Sequence, residues 1–195
     1  MWWARLLNNL VAISNDGVIT PPNSYESIQT YIIGSGGSAN VTFSSIPSTY
    51  KHLQVRILAR TTSGAPYDGL LMRIGTGGTI DTTSTLYGHH LTGDGSSATA
   101  GSRSSTNIEI AQAAAATAGS GMFGVTVIDV LDYANTNKNK TFRSLTGFDL
   151  NGSGQIKLMS GSYGANTNAI TDLRFYSAFA DIANGSHFAL YGIKG

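Results

Sequence analysis

The chain contains no cysteine. That excludes disulfide staples, thiolate nucleophiles and Cys-ligated zinc. A chain of 195 residues can bury a sufficient core without them. Charge is the next scarcity: Asp, Glu, Lys and Arg supply 12% of the residues, about half the usual share. The formal net charge is +1, which removes the electrostatic case for wrapping nucleic acid. No apolar run approaches the length of a membrane-spanning helix, so membrane insertion is not expected.

Glycine, serine, threonine and asparagine fill the space that charge leaves, and 41% of the residues are hydrophobic, which is enough for a real core. Low-charge, hydroxyl-rich surfaces suit extracellular and virion proteins that pack against copies of themselves; the alternative is an ordinary β-protein with many turns. The end of the chain, Ser186-His187-Phe188-Ala189-Leu190-Tyr191-Gly192-Ile193-Lys194-Gly195, alternates apolar and polar residues and reads as a strand that closes a sheet.

Residues 1–14 differ from the rest. Trp2, Trp3, Leu6, Leu7, Leu10, Val11 and Ile13 recur at helical spacing with Arg5, Asn8 and Asn9 between them, which predicts a short amphipathic helix. Two tryptophans need a covering surface, so Trp2, Trp3, Arg5, Leu6, Leu7 and Leu10 are candidate anchor residues. That surface is the chain's own body or another protein. Residues 15–24 hold Asp16-Gly17 and Pro21-Pro22, a turn and a stiff spacer, so they form a linker. The body occupies 25–195.

Short strands punctuated by turns fill that body. They are expected at 27–33, 40–44, 53–60, 70–74, 85–91, 107–111, 124–133, 141–150, 155–160, 169–177 and 186–193. Gly34-Ser35-Gly36-Gly37 reads as a hairpin tip, and residues 111–118 as one or two helical turns ended by Gly119. The stretch 124–133 is the most apolar and reads as a central strand. The expected fold is all-β, an antiparallel two-sheet sandwich of jelly-roll type preceded by the helix; an up-and-down barrel is the alternative.

No motif for chemistry stands out. His89 and His90 are adjacent and would point to opposite faces of a strand, so they cannot share a metal without a turn. Asp94 sits in Gly93-Asp94-Gly95, where backbone preference alone explains it. Asp129, Asp132, Glu109, Asp149 and Asp172 could supply a glycosidase pair, but none lies in a recognisable site. No nucleophile elbow, phosphate loop or dinucleotide fingerprint is present. No enzyme activity, cofactor or metal is expected. Asn137, Lys138 and Lys140 crowd one loop that could contact sugar, phosphate or an acidic neighbour, or form a solvated tip. With His89, His90 and Asp94 they complete the candidate host-contact residues.

Four segments carry a family resemblance: Tyr25-Glu26-Ser27-Ile28-Gln29-Thr30, Ile46-Pro47-Ser48-Thr49-Tyr50-Lys51-His52-Leu53-Gln54-Val55-Arg56, Asp132-Tyr133-Ala134-Asn135-Thr136-Asn137-Lys138-Asn139-Lys140-Thr141, and the closing strand to Gly195. With Gly34-Ser35-Gly36-Gly37 between the first two, residues 25–195 resemble a group of virion proteins of tailed bacteriophages, frequent in phages of aquatic bacteria including cyanobacteria. The resemblance implies a non-enzymatic β-rich building block, a homotrimer located in the virion. Its partners would be other virion proteins and, for a receptor-binding role, host-surface polysaccharide. The hydrophobic leader and Pro-Pro spacer favour a short tail fibre, anchored to tail or baseplate by its N-terminus and presenting a sandwich to the host. A capsid decoration protein is the alternative, and a depolymerase is a third reading.

Overall fold

The computed structural model describes residues 12–13, 19–20, 24–83 and 86–194. Two short strands, β1 (Ala12–Ile13) and β2 (Ile19–Thr20), pair antiparallel with each other. Residues 12–13 are therefore strand rather than the last turn of a helix. Ile13 and Ile19, both β-branched, are partners in this ladder, as are Ala12 and Thr20. The rest of the expected helix, with Trp2, Trp3, Arg5, Leu6, Leu7 and Leu10, lies outside the described residues.

From Tyr25 onward every regular element is a strand, and the described residues contain no helix. In chain order these are β3 (Tyr25–Ile32), β4 (Val41–Phe43), β5 (His52–Ala59), β6 (Tyr67–Thr76), β7 (Thr79–Ile80), β8 (Leu86–Gly93) and β9 (Ala98–Ser105). There follow β10 (Ile108–Ala114), β11 (Gly124–Leu131), β12 (Lys140–Asp149), β13 (Gly154–Tyr163), β14 (Ile170–Ser177) and β15 (His187–Ile193). One antiparallel sheet has eight strands in the order β3-β15-β5-β11-β12-β13-β8-β9. The second has the order β10-β6-β14-β4, with β7 beside β6.

The two orders describe one folded ribbon. Its outer turn pairs β3 with β15 in the large sheet and β4 with β14 in the small one. Its inner turn pairs β5 with β11 and β6 with β10 in the same two sheets. The hairpins β8–β9 and β12–β13 then widen the large sheet alone. Successive strands of the ribbon thus change sheets, and Gly34-Ser35-Gly36-Gly37 is a crossover between sheets rather than a hairpin tip. Gly37 adopts φ 74°, and a β-carbon there would lie 2.8 Å from the Ile182 carbonyl oxygen. A side chain is excluded by both constraints.

Burial follows the two-residue period. Leu53, Val55 and Ile57 of β5, Ile128 and Val130 of β11, and Phe142 of β12 face inward, where Met72, Ile74, Leu173 and Phe175 of the small sheet meet them. Tyr31, Phe43, Phe175 and Phe188 form a chain of ring contacts at 5.4, 6.1 and 6.1 Å that ties β3, β4, β14 and β15 across the sandwich. The alanine run begins as β10 and continues as a turn, not as a helix. Ala113, Ala114 and Ala115 are fully buried, where small side chains allow close approach. Arg60 fixes the turn by donating to the carbonyls of Ala116, Ala118, Gly119 and Met122.

One end of the sandwich is held by residues from three of the resembling segments. The Tyr50 ring lies over Gly192, where a β-carbon would sit 2.3 Å from the ring. The buried Tyr133 hydroxyl donates to the Pro47 carbonyl and accepts the Tyr50 N–H at 3.4 Å. Lys140 is fully buried, and its ammonium donates to the carbonyls of Asn135, of Lys138 at 3.1 Å and of Thr167 at 2.9 Å. Burial pushes its pKa down. Lys140→Met keeps the stem but strands three carbonyls, and is expected to cost about 2–4 kcal/mol in chemical denaturation. Gly192→Ala collides with Tyr50 and is expected to lower stability by about 1–3 kcal/mol in the same assay.

Candidate interaction face

The eight-stranded sheet is wider than the sheet that packs on it, and none of the described residues covers its far face. On β11 the pattern is strictly alternating: Thr126, Ile128 and Val130 are buried, while Val125, Val127 and Leu131 are exposed. The expectation of a central strand holds, since β5 and β12 flank β11. Its apolar run nevertheless has only one buried face. The other half of that run, repeated on its neighbours, forms a belt on the outer face.

Two rows of registered residues compose the belt. In one, Val127, Leu145, Leu158 and Leu91 stand side by side on β11, β12, β13 and β8. In the other, Leu58, Val125, Gly147, Ile156 and Gly93 run across β5, β11, β12, β13 and β8. The seven aliphatic side chains are each between 36% and 58% exposed. Together they expose on the order of 500 Å2, at the upper end of what a monomer's largest apolar patch shows. A groove of about 490 Å3 runs through the second row, lined by Phe123, Val125, Val127, Leu145, Phe148 and Ile156 among others.

A polar row borders the belt. Gln54, Asp129, Arg143, Ser160 and His89 are in register across five strands. Asp129 accepts from Gln54 at 2.9 Å and from Arg143 Nε at 3.0 Å. Arg56 Nε donates to Gln54 Oε1 at 2.9 Å, and its guanidinium lies 5.7 and 5.0 Å from the ring centres of Tyr25 and Tyr191. These charges have partners within the face, so they do not call for a charged ligand.

The sequence-derived contact residues are dispersed. His89 and His90 do point to opposite faces. His89 is exposed on the outer face, whereas His90 is half-buried on the inner one, with its ring against Gly101. Burial is the main cause that lowers the His90 pKa, followed by the Lys157 charge. Asp94 caps its own turn, accepting from the Ser97 and Ser96 amides at 2.7 and 2.8 Å, which lowers its pKa. Asn137 and Lys138 lie beyond the opposite end of the sheet, a strand length of ~30 Å away. Lys138 pairs with Asp132, which also meets Lys51 at 3.2 Å. The two lysines bring the Asp132 carboxyl down to about 2. Lys140, placed among the contact residues by sequence, is buried inside that loop and cannot touch a host surface.

The carboxylates considered for hydrolysis are already engaged. Glu109 takes Lys157 Nζ at 2.6 Å, Asp149 accepts the Asn151 amide at 2.7 Å, and Asp172 accepts the Thr171 hydroxyl at 2.6 Å. Among the described residues, no three His, Asp or Glu side chains group as metal ligands. The belt residues themselves were not singled out from sequence. The signal was present in Leu145, Ile156 and Leu158, which alternate with Ser144, Thr146 and Lys157, so that the apolar members of this part of β12 and β13 are the outward ones.

No family model matches the chain, and no curated protein sequence matches it. Three solved structures show distant similarity. A carbohydrate-binding module, CBM40, of the Ruminococcus gnavus IT-sialidase, bound to α2,3-sialyllactose, shares 11% identity over 85% of this chain and 91% of its own, with a TM-score of 0.30. A fructofuranosidase from Schwanniomyces occidentalis complexed with fructose shares 7% identity over 90% of this chain and 36% of its own, at 0.30. The CBM2 module of the evolved Dit of Lactobacillus casei BL23 phage J-1 shares 9% identity over 88% of this chain and 69% of its own, at 0.17. None of their binding residues is carried onto this chain.

The position of His90 gives a pH prediction. Its folded pKa lies below the ordinary 6.5, so on acidification the unfolded chain takes up the proton first. The contribution of His90 to stability is constant above pH 6.5 and declines as pH falls below it. His90→Gln is expected to lose less stability than the unmodified chain between pH 7.5 and 5.5, read from denaturation midpoints. Equal losses would assign the acid sensitivity elsewhere.

Proposed function

We propose that this chain is a structural protein of a phage virion, a β-sandwich that acts by being assembled through the outer face of its larger sheet. The aliphatic belt carries this reading. Leucine, isoleucine and valine in two registered rows suit another protein surface. A sugar site would instead want exposed aromatic platforms with free hydrogen-bonding groups beside them. Covering roughly 500 Å2 at about 25 cal/mol per Å2 corresponds to on the order of 10 kcal/mol before the costs of association. The resemblance of residues 25–195 to virion proteins supports the same reading, as does the jelly-roll character of the folded ribbon.

Two positions in the virion fit. As a short tail fibre, the chain attaches by Trp2, Trp3, Arg5, Leu6, Leu7 and Leu10, and its exposed loops meet host-surface polysaccharide. As a capsid decoration protein, it spreads its contacts over the sandwich, a reading that the belt favours. A depolymerase is the weakest of the three, because Glu109, Asp129 and Asp132 are all occupied by cations.

Immunogold labelling of intact particles with antibody against 25–195 tests the proposal. Gold on the tail supports the fibre, gold over the head supports decoration, and unlabelled particles reject a virion role. The double variant Leu145→Glu with Leu158→Glu is expected to keep its circular dichroism spectrum and to be missing from purified particles. Incorporation at the normal level would remove the belt from the argument.

A further inference from the structure

We propose that the outer face of the eight-stranded sheet is covered by the same face of a second copy of this chain, the two related by a two-fold axis that runs along the strands between β12 and β13. The inference rests on reading this face as an assembly surface and names its partner.

The argument is one of self-complementarity. A two-fold axis along the strands keeps each registered row opposite itself and reverses the order of strands within it. In the apolar row, Leu145 then meets the partner's Leu158, and Val127 meets the partner's Leu91. From Val125 to Gly93 the second row alternates large and small residues: Ile156 stands between Gly147 and Gly93, and Val125 on the other side of Gly147. The same operation sets Ile156 over the partner's Gly147 and Val125 over the partner's Gly93. Ile156 and Val125 each face a position with no side chain, the arrangement that interdigitating layers require, and Leu58 farther out faces the small Ala98 of the partner subunit. An unrelated surface would have to supply such a pattern of projections and gaps independently.

The bordering charges agree with this pairing. In the polar row the axis brings Asp129 opposite the partner's His89, and Arg143 opposite the partner's Ser160. No like charges are opposed, and the internal Asp129–Arg143 and Gln54–Asp129 contacts can persist. Aligned sheets pack at about −30°, so correspondence is closest near the axis, at Leu145, Leu158, Gly147 and Ile156. The belt and its polar border together reach the scale of about 800 Å2 per partner that stable complexes bury. A two-fold contact joins copies in pairs, which differs from the homotrimer that the family resemblance leads one to expect.

Sedimentation velocity of the full chain at concentrations up to roughly 100 μM tests the pairing, since interfaces of this size bind at micromolar affinity or tighter. A dimer is expected. Leu158→Glu should weaken it by roughly thirtyfold or more, as loss of a central contact does. Phe179→Ser, which alters a residue 86% exposed in the loop after β14, should leave it intact. A monomer, a trimer, or a dimer unaffected by Leu158→Glu would overturn the proposal.

Because the chain has no cysteine, the register can be read separately. Leu145→Cys and Leu158→Cys proteins, mixed and mildly oxidised, should form the mixed 145–158 disulfide in preference to either like pair. Equal yields of all three would overturn the proposed axis. These measurements use purified protein, so a monomer in solution rejects the second copy while the virion labelling still decides the wider reading.

Discussion

Only one face of the large sheet can be buried by the small one, and the remaining architecture answers to that limit. The small sheet supplies a narrow cover, and the folded ribbon aligns it under β15, β5 and β11. The hairpins β12–β13 and β8–β9 extend the large sheet further, with β10 as the nearest strand of the small sheet. On the inner side the widened region is stabilised by polar pairs such as Lys157 with Glu109. On the outer side the Asp129–Arg143 pair lies at the border, and the belt occupies the rows beside it. The exposed aliphatic rows are thus a property of the sheet's width as much as of its composition.

The convergence at the Tyr50–Gly192 end gives the resembling segments a physical meaning. Tyr50 and Pro47 come from one segment, Tyr133 and Lys140 from another, and Gly192 from the closing strand. The ring of Tyr50 needs a residue without a side chain beneath it. The hydroxyl of Tyr133 needs the carbonyl of Pro47. These requirements are reciprocal, so the segments form one constellation whatever the solvent-facing loops do. β15 lies between β3 and β5 rather than at an edge, which is why its sequence is so regular.

Strand positions were largely legible because alternation is a local signal. The opposite orientations of His89 and His90 and the turn-forming role of Asp94 followed from it as well. What could not be read was anything set by distant pairing. Whether Gly34 to Gly37 turns a hairpin or crosses between sheets depends on β15 and β14, which lie far along the chain. Residues 111–118 have helix-forming composition, yet β6 pairs with their first half and Arg60 grips the second. Lys140 looks like any loop lysine until Asn135, Lys138 and Thr167 are seen around it. The belt was hidden for a related reason: an apolar run reads as doubly buried, and only the sheet order shows that one side is bare.

The caged Lys140 has a consequence for how the loop around it is held. Loops whose carbonyls converge on one point commonly need a dissolved cation to neutralise them, and such loops slacken when that cation is diluted or sequestered. Here the cation is an ammonium group on the chain itself. It cannot be washed away or chelated, and it is present from the moment the polypeptide is made. The carbonyls of Asn135, Lys138 and Thr167 are thus gathered by a cation that neither dilution nor a chelator can remove.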